Sequence, residues 1–394
     1  MTSVPDLVVV GAGAVGAACA YFAARAGLRV HVVDRGPLAG GTTSGAEGNL
    51  LVSDKEAGPE LDLALLSSRV WTTELADLGR HWEHEAKGGL VVASSEPGLS
   101  GLRALAVRQR AAGIAVTDVA ADDLPGYEPH LAGGLSGGAF YPQDAQVQPM
   151  LLTAHLLRLA RELGATFNPG NEVTGLLRTG ERVTGVRTAA GDLPSGVVLN
   201  AAGTWSGELA ALAGVHLPVL PRRGFVLVTQ PLPLTVRHKV YAGEYVANVA
   251  SASEALQTSP VVEGTRSGTV LIGASRERVG FDRRTSLPVL ARLAAQAAAL
   301  FPVLRDAQVM RSYLGFRPYC PDHLPVIGPD PRAPGLWHAT GHEGAGIGLS
   351  VGTATLLAQA LTGQPTALDL HPFRPERFDQ ALAATPREPA LAAR

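Results

Sequence analysis

Arg317 stands in RSYLGFRPYCPDHLPVIG, residues 311–328, among Leu314, Phe316, Pro318 and Tyr319. A guanidinium cannot shed its charge on burial, so in such apolar company it needs an anionic partner or open water. The segment by itself leaves open which of the two it finds. Three glycine-rich runs offer a second kind of chemistry. Gly11, Gly13 and Gly16 form G-x-G-x-x-G, with Ala14 and Val15 inside it; that pattern lets a pyrophosphate approach the backbone at the start of a helix. GGTTSGAEGN, residues 40–49, adds the hydroxyls of Thr42, Thr43 and Ser44 and the backbone N–H groups around Gly48 and Asn49, donors suited to phosphate and to a ring with polar edges. GHEGAGIG, residues 341–348, sets His342 and Glu343 in a glycine turn before a long apolar segment, where helix N–H groups face outward.

Regular elements must carry these groups. DLVVVGAGAVGAACAYFAARAGLRVHVVDRG reads as one βαβ unit: a strand from Leu7 to Val10, the glycine turn, a helix to about Ala26 with Gly27 as its stop, and a strand from Leu28 to Val33. Asp34 ends the second strand, where a carboxylate can accept hydrogen bonds from a ribose diol. Further on, helices are expected over residues 59–85, 99–112, 150–163 and 287–301. A strand is expected over 88–94 and another over 197–200, the latter leading into Ala202, Gly203 and Trp205. Alternating segments between Arg222 and Ile272 imply an antiparallel sheet. Prolines 318, 321 and 325 exclude a continuous helix around Arg317, leaving loop or edge strand.

The bulk composition narrows the function. At 394 residues the chain is long for one core, so two domains are expected. A net charge of −2 without a basic run gives no reason to expect nucleic acid. Two cysteines, Cys19 and Cys320, are too few and too far apart for a disulfide scaffold, an iron–sulfur cluster or another metal site. Leu7 to Ala24 is uncharged and long enough to suggest a membrane span, but its patterned glycines fit strand, turn and buried helix better. With no other apolar span expected, the reading is a cytoplasmic protein without an integral membrane segment. Asp54 and Lys55 are read as a surface pair or part of a subunit contact.

On these motifs the chain resembles the flavin-dependent D-amino-acid oxidase, glycine oxidase and sarcosine oxidase superfamily over nearly its whole length. The pieces that carry the likeness are the G-x-G-x-x-G unit with Asp34, GGTTSGAEGN, VVLNAAGTWSG, GFRPYCPDHLPVIG and ATGHEGAGIGL. GNLLVSDKEAGPELDLA and GHEGAGIGL look most like the flavoprotein subunits of D-hydroxyproline dehydrogenase and opine oxidase. The fold this implies is α/β, a Rossmann-type FAD-binding domain with a second, α+β substrate domain built on an antiparallel sheet. Residues 1–85, 146–215 and 313–394 would form the FAD-binding domain, and 86–145 and 216–312 the substrate domain.

The resemblance also implies residue roles. Gly11, Gly13, Ala14, Val15, Gly16, Asp34 and Arg35 would hold the ADP half of FAD. Thr42, Thr43, Ser44, Gly48, Asn49 and Leu50 would line the pyrophosphate and flavin. Val173 would meet the adenine through its backbone, and Ala202, Gly203 and Trp205 would lie near the cofactor. Gly344, Ala345, Gly346, Ile347 and Gly348 would approach the pyrimidine edge of the flavin. Arg317 matches the arginine that binds the substrate carboxylate, Tyr245 a tyrosine that assists it, and His342 is a further catalytic candidate. The family more often has glutamate at the position of Asp34, and glycine oxidase has an arginine at that of Gly344. No cysteine stands where monomeric sarcosine oxidase attaches its flavin, so FAD is expected to be non-covalent.

The function expected is oxidation of the Cα–N bond of a small amino acid or secondary amine to an imine by hydride transfer to the flavin. D-Hydroxyproline, D-proline, glycine, sarcosine and opines head the substrate classes. Two alternatives stay open: an NAD-dependent dehydrogenase, which Asp34 permits, and a flavin-bearing subunit that works with electron-transfer partner chains. Either a homo-oligomer or a hetero-oligomer is compatible with the residues.

Overall fold

The computed structural model describes residues 4–243, 245–246 and 251–379. Leu7–Val10 is buried on both faces, as an uninterrupted apolar run should be in the middle of a parallel sheet. It pairs in parallel with Val30–Asp34 on one side and Val197–Asn200 on the other, with Val9 opposite Val32 and Leu199. Thr166–Pro169 and Leu336–Thr340 extend the sheet outward, and the antiparallel strand Val326–Pro329 closes it at six strands. The apolar stretch 7–24 is thus strand, turn and the helix Ala14–Arg25. That helix is rich in alanine, and it packs between the terminal helix Gly346–Leu361 and the helix Pro149–Glu162.

A second apolar span was not anticipated. Residues 343–361 are long and apolar enough to cross a membrane by composition, and half of that window is buried inside the fold.

The second sheet has eight strands. In order across it they are Val309–Tyr319, Leu220–Thr229, Val270–Arg276, Gln257–Gly264, Lys239–Ala242, Gly89–Ala93, Gly137–Tyr141 and Thr117–Ala120. All neighbours are antiparallel except Lys239–Ala242 and Gly89–Ala93, which run parallel with Val240 beside Leu90. The helix Leu287–Leu300 turns Val289, Leu293, Ala297 and Leu300 to one side, the spacing of a single helical face, and buries them with Phe225, Leu227 and Ile272.

Several expected boundaries shift. The helix over 59–85 ends at Thr72, followed by a 3-10 stretch Ala76–Trp82. The hydroxyls of Thr72 and Thr73 bond the carbonyls of Ser68 and Arg69 at 2.9 and 2.7 Å, competing with the helical ladder at its end. The segment holding Arg317 is an edge strand, where Pro318 lies opposite Pro221; both prolines are tolerated because an outer strand need not bond on both sides. The expected domain division at 312/313 falls inside this strand, so Arg317 belongs to the eight-stranded sheet. Residues 380–394 of the last expected segment lie outside the described residues.

Candidate active site

At the carboxyl end of the first strand the chain turns through Gly11, whose φ is 116°. A Cβ there would strike the Ala201 carbonyl, and one at Gly16 would strike the carbonyl of Gly11. These close approaches seat the helix Ala14–Arg25 directly on the strand ends, with its N–H groups toward the crevice. Ala14 N donates to Thr43 Oγ1 at 3.0 Å, joining the first glycine turn to the second glycine run. Asp34 accepts from Ala12 N and Gly36 N, each at 2.7 Å. It therefore staples the two turns together, and each oxygen keeps a lone pair for a diol. The Arg35 guanidinium lies 4.4 Å from the centre of the Trp205 ring, which stacks on Phe281. Thr42 Oγ1 and Thr204 Oγ1 both donate to the Phe316 carbonyl, at 2.6 and 2.9 Å, so this loop is tied to the edge strand next to Arg317.

Together these segments enclose a cavity of about 530 Å3. Gly11, Gly13, Ala14, Val15, Asp34 and Arg35 border it at one end. Thr42, Thr43, Gly48, Asn49, Val173, Ala202, Gly203 and Trp205 border its middle wall, and Gly344, Gly346, Ile347, His342, Tyr245 and Arg317 complete it. Gly16 sits behind the turn as a packing residue. Ser44 does not border the cavity: its exposed hydroxyl donates to Gly41 O at 3.0 Å and finishes its own turn. Leu50, Ala345 and Gly348 face a second cavity of about 350 Å3, which meets the first at Asn49, Tyr245 and Gly344.

Arg317 lines the first cavity, against Gly344. Its Nη1 donates to the Ser275 carbonyl at 2.9 Å, and no carboxylate pairs with it among the described residues. Burial and then the charge of Arg276 push its pKa below the ordinary value, the signature of a cation without sufficient counter-charge. Tyr245 is buried beside it, meeting Tyr241 edge-on at 5.0 Å.

His342 and Glu343 do not present free groups. His342 Nε2 is hydrogen-bonded with Thr353 Oγ1 at 2.9 Å, and burial holds the imidazole down at about 3, so it is neutral. The ring ties the glycine turn to the helix that follows, which argues against the catalytic part expected for it. Glu343 is paired with Arg222 and with His323 at 3.0 Å. Burial opposes its charge, but the His323 hydrogen bond and the charges of Arg222 and Arg276 outweigh it and hold the carboxyl below its usual range. Asp54 and Lys55 are not on the surface either: Lys55 is buried and bonded to Asp54 at 2.7 Å and Glu60 at 3.3 Å, on the wall of the second cavity.

Residues 6–360 match the model of the FAD dependent oxidoreductase family, DAO. The chain belongs to that family. Glycine oxidase of Geobacillus kaustophilus is 30% identical, aligned over 95% of this chain and 97% of its own. Its crystal structure superposes with a TM-score of 0.86 over 95% of this chain and 99% of that one, at 28% identity. Hydrogen cyanide synthase subunit HcnC of Pseudomonas aeruginosa is 29% identical over 96% and 97% of the two chains. L-proline dehydrogenase from P. horikoshii, at 20% identity and a TM-score of 0.87, shares the fold.

The cofactor of this family member is FAD, and the residues present fit it. A side chain at Gly11 would collide with the neighbouring backbone, and one at Gly13 would stand 3.1 Å from Thr43 Oγ1 on the cavity wall. The cradle also offers helix N–H groups, hydroxyls and a carboxylate in the places a dinucleotide needs them. The NAD reading of Asp34 gives way to the family. Neither thiol borders the cavity: Cys19 and Cys320 are both buried elsewhere.

The sequence reading passed over Glu47, Gly224 and Arg283, which also border the cavity. Gly224 carried a signal, since a glycine inside an apolar strand pattern often marks a close approach.

Proposed function

We propose that this flavoprotein oxidises the carbon–nitrogen bond of a small amino acid or secondary amino acid, with Arg317 gripping the substrate carboxylate. The observation that carries the reading is a half-buried guanidinium on the cavity wall, against Gly224 and Gly344, with no carboxylate of the protein paired with it among the described residues. The names of the relatives, glycine oxidase and iminodiacetate oxidase among them, support the same substrate class.

Bound in the cavity, FAD supplies the acceptor for the two electrons of the C–H bond next to nitrogen. Arg317 fixes the acid end of the substrate, and the apolar walls strengthen that pairing by lowering the local dielectric. Positioning of this kind can account for much of the rate. The nitrogen lone pair must be free to form the C=N bond, so the reactive substrate is the neutral amine; water then hydrolyses the imine. We read the six-stranded sheet with residues 1–85 and 146–215 as the FAD unit and the eight-stranded sheet as the substrate unit. FAD is held non-covalently, and the setting we infer is cytoplasmic, in keeping with two reduced thiols.

The test is an anaerobic panel of glycine, sarcosine, D-proline, D-hydroxyproline and opines, scored by bleaching of the flavin. Arg317→Lys should raise the apparent KM by about tenfold or more and Arg317→Ala further, with flavin retained. An unchanged KM in both variants refutes the grip. Peroxide formation by the isolated chain identifies an oxidase; dye reduction without peroxide identifies a dehydrogenase.

A further inference from the structure

Arg317 has an acidic counterpart on the wall of the same cavity. Glu47 borders that cavity and is only 8% exposed. Its Oε1 is buried and has no hydrogen-bond partner among the described residues. Its Oε2 receives one long bond, from Asn49 Nδ2 at 3.3 Å. Lys239 lies near enough to feel the charge of Glu47, but its ammonium is bonded to Asn49 Oδ1 and to Glu263. A carboxylate oxygen kept from water without a donor is costly. A substrate nitrogen is a donor that the reaction itself brings.

The eight-stranded sheet makes room for both charges. A Cβ on Gly273 would strike Glu47 Oε1, as one on Gly224 would strike Arg317 Nη1. Arg317 is bonded to the carbonyl of Ser275, two residues beyond Gly273. At most about 7 Å of chain therefore separates the points where the carboxylate and the guanidinium rest. Arg317 also feels the charge of Glu47. An α-amino acid offers a carboxylate and a nitrogen one carbon apart. With a hydrogen bond of about 2.9 Å at each end, it bridges a gap of that order.

We propose that Glu47 holds the substrate nitrogen, accepting a hydrogen bond from its N–H while Arg317 holds the carboxylate. The terminal torsion of a glutamate is broad, so a turn about that bond presents either oxygen to the cavity. Asn49, bonded to Lys239 on one side and to Glu47 on the other, keeps the carboxylate in place. The proposal rests on the amine-oxidising reading above and deepens it, naming the residue that selects for nitrogen beside the acid group.

The experiment uses the holoenzyme and two unreactive acids, pyrrole-2-carboxylate and furan-2-carboxylate, titrated by the change in flavin absorbance. They match in shape and charge, and one has a ring N–H where the other has an oxygen. The pyrrole acid should bind about tenfold or more tighter than the furan acid. Glu47→Leu, of similar bulk but with no acceptor, should abolish that advantage without weakening the furan acid. Glu47→Gln, which keeps an acceptor oxygen if the leucine variant folds poorly, should retain a smaller preference than the wild type. Equal binding of the two acids by the wild type overturns the proposal and leaves the grip of Arg317 standing. So does a preference that survives Glu47→Leu undiminished, or a leucine variant that weakens both acids alike, which would mark Glu47 as a structural group. Binding of neither acid by the flavin-loaded wild type sinks the carboxylate grip of the proposed reaction, and this inference with it.

Discussion

Gly224 decides where Arg317 can lie. A Cβ at that position would strike Arg317 Nη1 and stand 2.5 Å from the Ser275 carbonyl that the guanidinium bonds. Gly224→Ala should therefore displace the cation and raise KM for the amine about tenfold or more, with flavin content unchanged; steady-state kinetics and the absorbance ratio of flavin to protein check both halves. His342 supports a prediction about pH. Its ordinary value is 6.5 and burial lowers it to about 3, so the folded state excludes a proton that the unfolded chain accepts. Its share of the stability is complete above about 6.5 and is lost as pH falls towards 3, at up to about 1.4 kcal/mol per pH unit. Urea unfolding of His342→Gln should show a shallower loss of stability than the wild type across that acid window. Arg317 was legible in the sequence because a fixed charge among aromatics demands a partner. The tie that His342 makes was not legible, because residue type does not reveal that its ring nitrogen is hydrogen-bonded with a threonine eleven positions on, Thr353.

Between elements, the decisive contact is that of the 42–45 turn against the edge strand. A Cβ on Gly45 would stand 2.7 Å from Gly315 Cα, so two backbones touch where the dinucleotide side meets the sheet bearing Arg317. Gly45→Ala should pry them apart and weaken flavin retention about tenfold or more, measured by the fluorescence of flavin released on dilution; full retention would show that the turn tolerates the added methyl. The βαβ unit was readable because strand, glycines, helix and acid follow one another within a short stretch. The strand Gln257–Gly264 was missed: QTSPVVEG mixes polar residues with Pro260 and shows no clean alternation. It is a strand because its neighbours at 239–242 and 270–276 complete its hydrogen bonds. The meeting of Gly45 with Gly315 could not be read either, being a contact across most of the chain.

Across the whole molecule, a buried ion pair fastens the cofactor loop to the eight-stranded sheet. Lys239 Nζ bonds Asn49 and lies 3.2 Å from Glu263, with both charged side chains fully enclosed. Burial opposes the lysine's charge, but Glu263 and Glu47 more than offset it and raise its pKa. Lys239→Met should strand the Glu263 carboxylate and cost about 3–5 kcal/mol, read from the urea midpoint of the holoenzyme. Adding Glu263→Leu should recover most of that loss, because two apolar groups can replace a buried pair.

The chain crosses repeatedly between its two sheets: strands at 89–93, 117–120 and 137–141 interrupt the six-stranded sheet, and those from 220 to 319 interrupt it again before its last two strands. Neither sheet is a contiguous cassette. Recombination at a single crossover cannot graft a new specificity onto an old redox half, nor can truncation release either half intact. Diversification within such a lineage must go by point substitution on the sheet surface around Arg317, one inherited change at a time, while the nucleotide cradle stays constant.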